Sequence, residues 1–278
     1  MYVVRFFISY CFTAFFAFVF AGGEQATVGA KQQAMGKTST TQINVFSAFN
    51  NIANTAFLKH TQLGLYAENR FLQSNINAFN LAFTYKNDKL GAFSLTSYFY
   101  GYSLYNETEI GIGYAKNFGS KISAGLKFNY HRLAIAENGS KSLVSFNLGV
   151  LYKPINKFHI GFTVYNPIKM KLEKVYKETL STEFKLGLAY LPSKKFEIIL
   201  EAQKDLINPF QIRLGFNYDV HKYLSLRIGG ATQPTLFTFG LGTHVKNLDI
   251  DFSSVWDINL GYSPQLSLQY TFKKNAKE

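Results

Sequence analysis

Between Pro209 and Lys246 the sequence alternates apolar and polar residues three times over, and this pattern constrains the fold more than any other feature. Phe210, Ile212, Leu214, Phe216 and Tyr218 are separated by Gln211, Arg213, Gly215, Asn217 and Asp219. After His221-Lys222 the alternation resumes, with Leu224, Leu226 and Ile228 against Ser225, Arg227 and Gly229. It returns as Phe237, Phe239 and Leu241 against Thr238, Gly240 and Gly242. A period of two puts unlike residues on opposite faces of a β-strand. Strands joined by two-residue turns pair antiparallel, so the stretch predicts a meander.

What the apolar face touches decides the architecture. A soluble β-sandwich would bury it against a second sheet, whereas a membrane barrel would turn it to lipid. After Ala21 no apolar run is long enough for a membrane helix, so a membrane-spanning chain must close its strands into a barrel. Met1 to Ala21 reads as a secretory leader, with Arg5 ahead of the apolar run Phe6 to Phe20, and a cleaved signal peptide over 1–21 is expected. The only cysteine, Cys11, lies inside that leader, so the mature chain would carry neither a disulfide framework nor a thiolate site.

Alternation upstream and downstream predicts strands over 62–70, 76–86, 90–100, 107–118, 122–134, 142–153, 157–165, 180–191, 196–204, 209–220, 223–232, 235–246, 248–255 and 264–272. Most of these fourteen approach the roughly 9–11 residues that a tilted strand needs to cross a bilayer. The connections at 86–89, 119–121, 154–156, 193–195, 221–222 and 247 are tight, and those between them are mostly longer, up to Asn166–Thr179. Short turns at one end and longer loops at the other are the pattern of a bacterial outer-membrane barrel, with the short turns on the periplasmic side. Tyr85, Phe118, Tyr152, Phe158, Tyr190, Phe196, Tyr218, Tyr223 and Phe272 flank the tight turns. Tyr98, Tyr100, Tyr102 and Tyr105 cluster at the opposite end, which predicts a second aromatic belt there. A sandwich has no reason to sort aromatics to strand ends. The expectation is therefore an all-β, antiparallel up-and-down transmembrane β-barrel of about 14 strands over 62–278, with 22–61 as an N-terminal plug or hatch.

The polar face carries Gly111, Gly113, Gly125, Gly149, Gly161, Gly187, Gly215, Gly229, Gly240 and Gly242. Glycine inside strands marks either curvature that lets a small barrel close or close approach of another group. The same face carries Glu109, Lys127, Glu183, Lys185, Glu201, Arg213, Arg227, Asp249 and Asp251, with Glu201 and Arg213 near each other across a hairpin. Such lumen charges either hold a plug or line a path for a solute. Asp249 and Asp251 do not by themselves make a hydrolase, and the five histidines lack metal-ligand spacing. No catalytic constellation, metal site or cofactor is expected. The net charge of +12 would suggest nucleic acid in a cytoplasmic protein, but an exported chain with lysines in its turns fits a positive rim facing anionic lipid or an acidic partner.

Gly29-Ala30-Lys31-Gln32-Gln33-Ala34-Met35-Gly36, followed by Phe46-Ser47-Ala48-Phe49-Asn50-Asn51-Ile52-Ala53, resembles the entry signature of FadL-like outer-membrane barrels. Within them it resembles the PorV/PorQ group associated with type IX secretion. Ile52 stands where that signature has proline, and Asn54-Thr55 stand where glycine and leucine are usual. The resemblance implies a fourteen-stranded barrel with an internal hatch, in which Met35, Gly36, Asn50 and Asn51 are hatch residues. Of the functions it implies, the short loops and the internal segment favour an accessory or docking subunit of an outer-membrane secretion or assembly machine, with a channel for small hydrophobic solutes as the alternative. The first would have other outer-membrane or exported proteins as partners; its contact surface would be the longest loop, where Lys169, Lys171, Lys174 and Lys177 alternate with aliphatic residues. That loop could equally extend the flanking strands.

Overall fold

The computed structural model describes residues 26–167, 182–206 and 208–273. The leader expected over 1–21 and the loop lysines at 169–177 lie outside the described residues. Fourteen strands run β1 (Thr61–Asn69), β2 (Asn77–Asn87), β3 (Gly91–Tyr102), β4 (Tyr105–Phe118), β5 (Ile122–Ile135), β6 (Gly139–Ile155) and β7 (Phe158–Tyr165). They continue as β8 (Glu183–Ser193), β9 (Phe196–Asp205), β10 (Gln211–His221), β11 (Leu224–Ala231), β12 (Leu236–Val245), β13 (Leu248–Asp257) and β14 (Gly261–Phe272). Each pairs antiparallel with its chain neighbours, and β14 returns to β1 to close the barrel. The expected spans fall within three residues of the observed strand ends throughout. The largest differences, of three residues, are at the starts of β6, β8 and β14.

The two faces of the wall differ as the alternation requires. Phe237, Phe239 and Leu241 are 52%, 47% and 50% exposed, whereas Thr238 between them is buried. Phe79, Leu95, Ile112, Phe128, Leu186 and Ile228 are likewise exposed on the outside. An apolar surface that continues round the whole barrel is far larger than a water-soluble monomer carries.

Six connections at one end of the barrel hold only two or three residues each, and this is called the short-turn end below. Tyr85, Phe118, Tyr152, Tyr190, Tyr218 and Phe272 point outward beside it. At the loop end the second belt is built differently from expectation. Tyr98 and Tyr100 share the inner face with buried Ser94 and Thr96, because a period of two leaves them there. Tyr98 packs on the interior apolar cluster, and Tyr100 lies beneath the Arg70 guanidinium, 4.3 Å from its ring centroid. Tyr105 also faces inward, its hydroxyl donating to Glu107. The outer aromatics at this end include Phe237, Trp256 and Tyr262, stacked in a row with centroid spacings of 5.7 and 6.1 Å.

The residues before β1 contain two short helices, α1 (Ala30–Ala34) and α2 (Ser47–Asn50), and a 3-10 turn over Ile52–Phe57. None reaches the length at which a helix is stable alone, so tertiary contacts must hold them. Those contacts come from inner-face residues: α1 meets β11 to β14, α2 meets β2 and β3, and the 3-10 turn meets β2 to β6.

Candidate functional site

The inner face of β9 to β14 holds the N-terminal segment with directed bonds. Glu201 on β9 is fully buried and accepts from the amides of Ser39 and Thr40, both at 2.8 Å, and from the Thr40 hydroxyl. Its other oxygen lies 3.5 Å from Arg213, directly opposite on β10. Arg213 also donates to the Lys37 carbonyl at 3.0 Å. One ion pair thereby fixes both ends of the 37–40 turn. A buried charge needs such full partnering to persist. Thr238 on β12 accepts from the Gly36 amide and donates to the Ala34 carbonyl, both at 2.8 Å. Ser267 and Gln269 on β14 accept from the amides of Ala30 and Val45 at 3.3 Å each. Lys31 reaches Glu197 at 3.2 Å.

Glycines on the wall create the slots into which this segment fits. A Cβ on Gly215 would run into the Met35 carbonyl, and one on Gly229 into the Gly36 amide. Gly36 itself has φ +69° and sits against the carbonyls of Leu214 and Gly230, so it needs glycine on both counts. Gly161 and Gly187 make room for Thr40, Gly149 for Asn51, Gly113 and Gly125 for Ile52, and Gly240 for Ala34. Of the inner-face glycines identified from sequence, only Gly111 and Gly242 face other wall side chains instead, Lys127 with Asn129 and Arg227 with Asp251. Close approach, and not curvature alone, accounts for the rest.

The wall from β1 to β4 meets the segment through apolar contact. Val28, Val45, Phe46, Phe49, Ile52 and Ala56 pack with Tyr66, Ala82 and Ala115 of the wall, and Tyr98 covers their edge. The Phe46 and Tyr66 rings meet edge to face at 6.4 Å. Beyond this cluster the segment is pinned again: Asn117 donates to the Ala56 carbonyl at 3.0 Å and Ser123 to the Ala53 carbonyl at 2.8 Å.

All nine inner-face charges named from sequence point into the lumen, but they do different things. Glu201 and Arg213 hold the segment directly. Lys127 pairs with Glu109 at 2.9 Å and lies 4.7 Å from the Phe49 ring, joining the charged wall to the segment through a cation–π contact. Glu183 and Lys185 pair with each other on β8 at 2.7 Å. Arg227 pairs with Asp251 at 2.6 Å, while Asp249 contacts His244 and accepts from Gln269 at 2.9 Å. The last of these reaches the segment one step removed, since Gln269 holds Val45. A polar cavity of about 360 Å³ lies at the short-turn end, bordered by Lys31, Asn44, Glu197, Asn217 and Arg227 among others.

The four residues that the resemblance implies as hatch residues also separate. Met35 and Gly36 touch the wall, as described. Asn50 turns back on its own segment, donating to the Val28 carbonyl at 2.8 Å and accepting from the Val28 amide at 3.1 Å. Asn51 does both, donating to the Thr40 carbonyl at 2.7 Å and to the Val150 carbonyl of β6 at 3.2 Å. Sequence reasoning missed Thr238, Ser267, Gln269, Asn117 and Ser123. Their only signal was polarity on the inner face, which many residues that touch no part of the segment share. The arrangement binds and positions a segment of the chain's own backbone. Among the described residues, no group of three or more His, Cys, Asp or Glu could hold a metal ion.

No protein-family model and no curated protein sequence matches this chain. Solved structures do. The toluene transporter TodX of Pseudomonas putida superposes with a TM-score of 0.71 at 12% identity, covering 91% of this chain and 100% of its own. A FadL homologue from Pseudomonas aeruginosa gives 0.68 at 11% identity, with the same coverage. The toluene transporter TbuX of Ralstonia pickettii gives 0.66 at 12% identity, covering 90% of this chain and 99% of its own. The chain has the barrel fold of these FadL-type outer-membrane proteins. At such identities the likeness concerns the fold alone.

Proposed function

We propose that this chain is a non-enzymatic outer-membrane channel for small hydrophobic solutes, in which the N-terminal segment is the hatch that closes the lumen. The observation that carries the reading is the apolar cluster inside the barrel. A lumen that only passed ions or sugars would have no use for Phe46, Phe49 and Ile52 against Tyr66, Ala82 and Ala115. When the segment shifts, that contact becomes an apolar surface reaching into the bilayer-spanning wall, suited to a solute that water dissolves poorly. The exposed apolar outer face suits a wall set in lipid. Short turns are periplasmic in such barrels, which sets the direction of transport from the loop end to the short-turn end. The neighbouring structures support this alternative and not the docking subunit that the sequence reading favoured. Nothing in them supports docking to a secretion machine, and the loop that would do the docking lies outside the described residues.

Reconstitution tests the proposal. Liposomes holding the full-length protein should take up a small aromatic hydrocarbon faster than a sugar of similar size. Planar bilayers holding it should conduct poorly, and a variant lacking 22–61 should conduct as an open pore. Equal passage of hydrocarbon and sugar through the intact protein would refute the solute class. Equal conductance with and without the segment would refute the hatch.

A further inference from the structure

Each of the six short turns carries an exposed lysine: Lys89, Lys121, Lys157, Lys194 with Lys195, Lys222 and Lys246. Asp88 is the only acidic residue in those same turns. Among the described connecting residues of the loop end the only cation is Arg70, and its side chain turns inward to Glu68 and the Tyr100 ring. The basic excess of the chain is thus displayed, among the described residues, chiefly at one rim.

The height of these lysines can be read from their neighbours. Phe118, Tyr152, Tyr190 and Tyr218 point outward just inside the same turns, and aromatic side chains of that kind settle at the membrane–water boundary. Lys222 lies over the Tyr223 ring, 4.7 Å from its centroid. The ammonium groups are therefore one step beyond the aromatic girdle, at the level of lipid headgroups, where a lysine stem can lie on apolar surface while its charge stays hydrated.

Their distribution identifies the partner. The turns belong to six successive hairpins of a closed barrel, so the lysines form a ring and not a patch. A protein docking from one side would meet only part of that ring. An annulus of lipid meets all of it. We propose that the short-turn rim is a collar that recruits anionic phospholipids, through their phosphate headgroups, to the leaflet it faces. The proposal rests on reading the chain as a membrane-spanning barrel.

The test uses the full-length protein in bilayers of mixed phosphatidylglycerol and phosphatidylcholine, each spin-labelled in turn, and measures how much of each label the protein immobilises. Barrel formation is checked independently by heat-modifiable gel migration. Around the wild type, phosphatidylglycerol should be enriched roughly threefold at low salt, and most of that preference should vanish near 1 M salt, where the screening length is about 3 Å. Replacing all seven lysines by glutamine should bring the ratio close to parity, and replacing them by arginine should keep it. If the glutamine variant does not assemble, the arginine variant and the salt series still decide. A folded wild type that immobilises both lipids equally overturns the collar and leaves the channel reading intact. So does a preference that survives the glutamine changes, or a wild type without lipid preference that instead binds soluble poly-glutamate. A wild type that forms no barrel in bilayers removes the membrane reading and the collar with it.

Discussion

On the β9 to β14 side of the lumen the N-terminal segment is held by hydrogen bonds and ion pairs at fixed angles, whereas on the β1 to β4 side it is held chiefly by apolar packing. The difference matters because the two kinds of contact fail differently. A directed bond broken inside a protein leaves a buried group without a partner, at a cost of about 1–3 kcal/mol and more for a charge. An apolar contact can slide by a fraction of an ångström and lose little until water or a ligand enters. On the proposed hatch reading, the polar side is the pivot of the segment and the apolar side the edge that lifts. Three substitutions test that division.

The largest effect is expected from Glu201→Ala. It removes the partner of Arg213 and the acceptor for the Ser39 and Thr40 amides together, so the segment should lose about 3–5 kcal/mol of hold. Limited trypsin digestion of the folded protein should then cut at Lys31 and Lys37, which the wild type should protect, and the pore current should rise. A Glu201→Ala protein as resistant as wild type would show that the pivot lies elsewhere. Gly215→Val is expected to be milder, about 1–3 kcal/mol, because the new side chain must push the Met35 carbonyl out of its slot. Its digestion pattern should resemble that of Glu201→Ala at lower intensity. Smallest should be Ile52→Val on the apolar side, about 0.5–1.5 kcal/mol, since one carbon is withdrawn from against Gly113. Here trypsin sensitivity should stay at the wild-type level while hydrocarbon uptake speeds up. A rise in digestion equal to that of Gly215→Val would erase the distinction between the two sides.

The wall of this molecule was legible in its sequence to within a turn, because each strand carries its own alternation and needs no distant information. Parity was the weak point. Tyr98, Tyr100, Tyr102 and Tyr105 resemble a girdle when read as a cluster, but Ser94 and Thr96 share the face of Tyr98 and Tyr100, and counting by twos would have turned those two inward. The glycines announced that something approaches the inner face without saying what. Residues 26–60 have no period of their own, and so their bonding partners could not be read out. Asn50 and Asn51 are adjacent and alike, yet one braces the segment and the other reaches β6. That choice is made by the direction of the backbone where the helix ends, at an Asn51 with φ −139° and ψ 99°.

The seam between β1 and β14 joins the first and last strands, and the segment directly precedes β1. Ser267 and Gln269, near the end of the chain, hold Ala30 and Val45, near its beginning. These bonds cannot form until the last strand has reached the segment. During assembly the enclosed residues must wait unpaired through the addition of every later strand, or else be gathered early by Glu201 and Thr238 and serve as the mandrel around which the sheet is wound. In either sequence of events, the arrival of the last strand both completes the cylinder and adds the final bonds to its contents.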